Sequence, residues 1–198
     1  MSFKTRKIAI AAAVGTALLA AGAAQAQQVR LMTGPQGGSW YPLGGAIANI
    51  ADKTAGIKIQ VLPGAGIANV KAVEGGKADM GFGNSISTVD GLAGRAPFDK
   101  ATKNVCNVAT LYPQYFQIVA NADSGIESLA DVKGKPIAVQ PKGNTAEFIS
   151  QQALQVYGLK YSDAARVSYV SYTDAVSLMK DNNAQLFTLG TTVPASSI

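Results

Sequence analysis

The sequence predicts an α/β fold with a mainly parallel sheet. Three observations carry that expectation. Short β-type runs alternate with amphipathic helical segments along most of the chain. Glycine-rich turns join the end of one to the start of the next, which uses many of the 21 glycines. No internal short-period repeat and no low-complexity tract interrupts this rhythm after residue 26.

The first 26 residues are set apart from the fold. Lys4, Arg6 and Lys7 make a basic start, Ile8–Gly22 an alanine-rich apolar run, and Ala24-Gln25-Ala26 a small-x-small cleavage site. That is the pattern of an export signal, so the mature chain is expected to begin near Gln27, in the periplasm. Without those three cations the balance falls from +5 to 14 Lys and Arg against 12 acids, or +2. So mild a charge, with no basic run interleaved with aromatics, argues against nucleic acid as a partner. No later stretch reaches the length of a transmembrane helix.

The mature part opens with a strand over Val29–Thr33. A glycine-rich loop follows, and then a helix over Ser39–Lys53 with Leu43, Ile47 and Ile50 on one face. Pro42 is tolerable in its first turn. Ile57–Leu62 alternates as a second strand, Ile67–Glu74 is a short helix stopped by Gly75-Gly76, and Ala78–Phe82 is a third strand. Ser85 caps a helix running to about Leu92. Val105–Leu111 reads as a buried fourth strand that makes Cys106 a small core residue, and Tyr115–Ala120 as a fifth. Asn121–Gly125 is a polar break and a candidate hinge. Beyond it come a helix start at Ser128–Asp131, a strand at Pro136–Gln140 and a helix from Asn144 to Tyr157. That helix carries a capping-box pair, Asn144 and Glu147. Val167–Val170 is a strand, Thr173–Lys180 a helix, and Ala184–Leu189 a last strand. The expected organisation is a signal at 1–26, a first α/β lobe at 27–122 and a second at 123–198.

Four loops follow strands and start helices: Thr33–Ser39, Pro63–Ile67, Gly81–Ser85 and Pro141–Asn144. In open α/β sheets ligands bind beyond the carboxyl ends of the strands. The free N–H groups and positive dipole end of each helix start favour an anion there. Gly34, Gly37 and Gly38 allow close backbone approach. Trp40 and Tyr41 serve either as flat walls of a site or as core packing. Lys142 is either a cation for a ligand carboxylate or a solvated surface residue. Asn84 and Asn144 are either turn and cap residues or amide donors to an anion.

The chemistry excluded is as informative. The chain has no histidine, which removes Ser-His-Asp and Cys-His catalysis and the commonest nitrogen ligand for zinc. One cysteine allows no internal disulfide. Gly34–Ser39 lacks the Gly-Lys-Ser/Thr ending of a phosphate loop, and Gly64–Asn69 has asparagine where a dinucleotide fingerprint needs glycine. Ser177 and Lys180 match Ser-x-x-Lys, without the companion motifs of a serine–lysine hydrolase. No catalytic residue, metal or cofactor is expected.

Four segments carry a family resemblance: TGPQGGSWYPLGGAIANI, LPGAGIANVKAVEGGKADMGFGNS, ATLYPQYFQIVANADSGIESLADVKGKPIAV and PKGNTAEF. Together they resemble the TAXI-type solute receptors of TRAP (tripartite ATP-independent periplasmic) transporters, over Val29 to Ile198 and more weakly after Lys180. The resemblance implies a type II periplasmic-binding-protein fold, two α/β lobes that close on a ligand about a hinge. It implies a small organic acid or amino acid such as glutamate as ligand, and ion-driven membrane subunits as partners of a monomeric receptor. By position it implies Ser39, Trp40 and Tyr41 in a first ligand loop, with Gly38 beside them, and Asn69, Asn84 and Ser85 in the next two. Tyr112 falls between the lobes, and Lys142, Gly143, Asn144 and Thr145 in the second-lobe loop. Trp40 and Lys142 depart from the usual family residues. Family members also extend beyond the point where this chain ends, so the second lobe is expected to be truncated, without its return segment to the first. That expectation includes unpaired sheet edges and exposed apolar faces. Two other classes remain in view: a periplasmic sensor or adaptor, and an exported hydrolase using Ser177.

Overall fold

The computed structural model describes residues 28–195 and 198. The export-signal reading lies outside the described residues. The elements are β1 (Val29–Met32), α1 (Trp40–Ala55), β2 (Ile59–Leu62), α2 (Gly66–Glu74), β3 (Met80–Gly81), α3 (Ser85–Ala93), β4 (Tyr115–Ala120), β5 (Pro136–Val139), α4 (Thr145–Val156), β6 (Arg166–Tyr169), α5 (Tyr172–Lys180) and β7 (Leu186–Thr191).

Two sheets result. The first is parallel, in the order β2-β1-β3. The second runs β4-β7-β5-β6; β5, β6 and β7 are parallel and β4 is antiparallel to β7. In each sheet the chain moves off to opposite sides of one strand, β1 in the first and β5 in the second. Each sheet therefore has a switch point at that strand's carboxyl end, the place where open α/β sheets bind ligands.

The second sheet buries both faces, as parallel strands do. Ala138, Phe187 and Leu189 pack with Tyr172, Ala175 and Met179 of α5, while Ile137, Val139 and Leu186 pack with Leu154 of α4 and Val132. The first lobe has a thinner core of Ile67, Val70 and Phe98, joined by Phe148 from α4. Large apolar side chains stay exposed on it, including Ile50, Ile86, Val89 and Leu92. A bidentate pair between Arg30 and Asp79 ties β1 to the turn before β3, at 2.9 Å and 3.0 Å. Those hydrogen bonds hold the Asp79 carboxyl down at about 2.

Several expectations change. Val105–Leu111 forms no strand, and Cys106 is exposed. The run has strand composition but no neighbour to pair with, and composition alone does not make a ladder. Tyr115–Ala120, assigned by sequence to the first lobe, is β4 of the second sheet because its register lies along β7. The crossing between sheets thus lies in 94–114, ahead of the expected hinge. Asn121–Gly125 is instead fastened within the second lobe, where Asn121 Nδ2 donates to Met179 O at 3.0 Å and to Asn182 Oδ1 at 3.1 Å. Ser85 is the first helical residue and Asn84 holds the cap position, with no side-chain cap bond. Glu147 does not complete a capping box; its carboxylate accepts from Gln151 Nε2 within the helix.

Candidate functional site

The helix starts predicted from the loops meet at a seam between the two lobes. Ala68 N–H in α2 donates to Gly143 O in the second-lobe loop at 3.0 Å. Thr145 Oγ1, at the start of α4, donates to Ser87 Oγ in α3 at 3.3 Å. Gly66 lies where these helices converge: a Cβ there would run into Thr145 Oγ1 and come within 2.8 Å of Asn84 Oδ1. Only a residue without a side chain lets the starts of α2, α3 and α4 approach so closely. The loop before α1 meets the start of α5 in the same way. A Cβ on Gly37, whose φ is +81°, would lie 2.8 Å from Thr173 Oγ1 and 3.0 Å from Tyr172 Cβ.

Hydroxyls and amides line the seam. Ser39 Oγ lies 2.8 Å from Tyr112 OH and accepts from Thr191 Oγ1 at 3.4 Å. Asn84 Nδ2 donates to Gln114 Oε1 at 2.9 Å. Asn144 caps α4 by accepting from Ala146 N–H at 2.8 Å. Tyr172 OH donates to Gly190 O at 2.9 Å, and its burial pushes the phenol up to about 12, so it stays a neutral donor. None of these side chains carries a charge. What they offer is a neutral hydrogen-bonding set beside several positive helix ends, worth up to about 2 kcal/mol each for a partly buried anion.

Of the residues nominated by sequence, Ser39, Tyr112, Asn84, Gly143, Asn144 and Thr145 are brought to the seam. Gly38 packs against the Tyr172 ring. Trp40 turns toward Phe82, with ring centroids 5.7 Å apart, and Tyr41 is exposed. Asn69 is buried and fully engaged in backbone contacts: Ala65 N–H donates to its Oδ1, and its Nδ2 donates to Thr33 O and Phe82 O. It braces three loops within the first lobe. Ser85 is exposed. So is Lys142, whose ammonium sits 5.1 Å from the Tyr169 ring centre. Thr191, Gln114, Ser87 and Tyr172 join the seam although loop reasoning passed over them. Thr191 and Ser87 lie inside elements, Tyr172 opens α5 after its cap Ser171, and Gln114 lies in the crossing segment. Ser177 Oγ donates to Thr173 O within α5, so its hydroxyl is engaged by the helix it sits in.

The two-lobed α/β architecture is that of the type II periplasmic binding proteins. Residues 31–198 match the model of the NMT1-like family, to which the chain belongs. It is 33% identical over 96 residues to the arginine-binding extracellular protein ArtP of Bacillus subtilis, covering 46% of this chain and 37% of ArtP. Its fold resembles the alkanesulfonate-binding protein SsuA of Xanthomonas axonopodis, with a TM-score of 0.52 at 22% identity over 84% of this chain and 55% of that one. It also resembles a binding-protein component of an ABC phosphonate transporter from Pseudomonas aeruginosa, with a TM-score of 0.57 at 13% identity, over 83% of this chain and 58% of that one. The chain thus spans little more than a third of the curated relative and somewhat over half of these two structures.

Proposed function

We propose that this protein is an extracytoplasmic solute-binding receptor that takes a small organic acid or amino acid between its lobes and presents it to membrane transport subunits. The observation that carries the reading is the seam itself, where helix starts from both lobes meet over neutral hydrogen-bonding side chains. A carboxylate, sulfonate or phosphonate placed there lies at the positive ends of several helices, with Glu147 and Asp174 the acids in the first turns of α4 and α5. Membership of the NMT1-like family and the solute-binding names of the relatives support it. The finer reading is a TAXI-type receptor of an ion-driven TRAP transporter with glutamate among its ligands, and it rests on the sequence segments that resemble that family. A second reading, an ATP-driven partner, is favoured by the ABC transporter component among the structural neighbours. The genes beside this one separate the two: TRAP membrane subunits favour the first, an ATPase and permease the second.

Titration calorimetry of the full chain against the L-amino acids, C4 and C5 dicarboxylates, and short alkanesulfonates and phosphonates tests the receptor reading. Saturable binding of one class, weakened about tenfold by Ser39→Ala through loss of a seam hydroxyl, is expected. Failure of a folded sample to bind any member of the panel overturns it.

A further inference from the structure

Gln140 is fully buried, and among the described residues neither its Oε1 nor its Nε2 has a hydrogen-bond partner. Buried amides are almost always satisfied, so an orphan of this kind calls for a cause. Its position supplies one. Gln140 directly follows β5. It therefore stands at the carboxyl end of the strand where the second sheet reverses direction, with β6 on one side and β7 on the other. The alternation of the strand puts Gln140 on the face of Ala138, which packs with Tyr172, Ala175 and Leu189. Tyr172 is also the residue against which Gly37 and Gly38 of the first lobe press. Gln140 thus lies at the strand end that leads into α4, on the sheet face that packs against α5. Removing its amide from water costs free energy that no protein group returns.

We propose that Gln140 is a specificity-determining ligand contact of the receptor site, which rests on the receptor reading given above. A primary amide offers a donor and an acceptor side by side. Nε2 donates to an acid oxygen of the ligand, and Oε1 accepts from an N–H of the same ligand. The ligand class this selects carries an acid group and an N–H donor close together, as an α-amino acid does. A plain dicarboxylate or alkanesulfonate fills only half of the amide. Opening of the lobes gives the ligand its route, and closure returns the amide to its buried position.

Calorimetry of the full chain with each L-amino acid, and with the matching acid that lacks the amino group (glutarate against glutamate, for example), tests this alongside thermal unfolding of the ligand-free protein. Wild type binds an amino acid more tightly than its deaminated counterpart. Gln140→Met, of similar size, lowers that affinity about tenfold or more and removes the preference, because both contacts are lost. Ligand-free Q140M melts no lower than wild type, since the amide contributes no bond there. Gln140→Glu keeps size and shape but replaces the donor, and weakens amino-acid binding in the same direction. If wild type binds an amino acid and Q140M binds it equally well, the contact is refuted while the receptor reading stands. A wild type that binds the deaminated acid as tightly also refutes it. So does a ligand-free Q140M that melts well below wild type, since the amide then serves the fold. Wild type binding nothing on the panel overturns both.

Discussion

A buried amide can hold a loop or wait for a ligand, and the difference lies in its partners. Asn69 and Gln140 show the two cases. The side chain of Asn69 reaches Ala65 N–H, Thr33 O and Phe82 O, one group from each of three loops at the carboxyl end of the first sheet. Replacing it by alanine leaves buried donors and acceptors unmet, at about 1–3 kcal/mol for such a loss. Asn69→Ala is expected to lower the urea midpoint with little change in slope, and equilibrium unfolding followed by circular dichroism measures both. An unchanged midpoint would mean that water replaces the amide without cost. The family resemblance marked Asn69 as a ligand-binding residue of the second ligand loop. Nothing in a one-dimensional pattern separates an asparagine that faces a ligand from one that ties the loops behind it. Gln140 was legible as the end of a strand, but its burial without a hydrogen-bond partner among the described residues exists only in the folded chain.

At the level of elements, the helix starts were the legible part. Gly38-Ser39, Gly64–Gly66, Asn84 and Gly143-Asn144 all open helices within a residue or two of expectation. Glycine turns and cap-type residues are local signals, so the sequence shows them directly, although only Asn144 of these starts makes a side-chain cap bond. Strand pairing is non-local and was read less well: Val105–Leu111 looked like a strand, and β4 was given to the wrong sheet. The first turn of α4 shows a further limit. Glu147 looked like half of a capping box, yet it is buried beside Gln151 and Tyr161. Desolvation is the largest influence on it and raises its pKa, against the hydrogen bonds from Gln151 and Tyr161 and the Lys142 charge, which lower it. The folded state therefore holds that proton more tightly than the unfolded chain does. Its contribution to stability is full below the ordinary carboxyl range, near pH 4, and is lost as the pH rises through the raised value. Glu147→Gln is accordingly expected to melt above wild type at pH 7 and to match it near pH 4. Melting curves across that range decide the point, and an E147Q that melts lower at pH 7 would show that the charge serves the α4 start instead.

Across the described residues, polar contacts, the Gly37-Gly38 approach to Tyr172 and an apolar plug join the lobes. Ala68 to Gly143, Thr145 to Ser87 and Thr191 to Ser39 cross the seam, and Phe148 of α4 packs against the Ile67–Phe98 cluster of the first lobe. Relative motion of the lobes is the default expectation for such a seam, with closure set by how well the helix starts fit. Gly66 is the tightest point of that fit. A methyl group there meets Thr145 Oγ1, while the Thr145 Cβ stands at 3.4 Å, an ordinary contact distance. Gly66→Ala improves the intrinsic preference for helix within the first lobe, so its local effect is neutral or favourable. Its effect on the seam is overpacking, worth about 1–3 kcal/mol against the closed arrangement. A shift of that size changes a two-state population about 5- to 150-fold. G66A is therefore expected to give a larger radius of gyration by small-angle scattering and weaker ligand binding, with unfolding still cooperative. Thr145→Ala added to it removes the clashing hydroxyl and restores compactness, because Asn84 Oδ1 is the end of a side chain that can turn away. That rescue separates a jammed seam from a damaged fold. If G66A scatters like wild type, or if T145A fails to restore it, closure does not depend on these helix starts meeting.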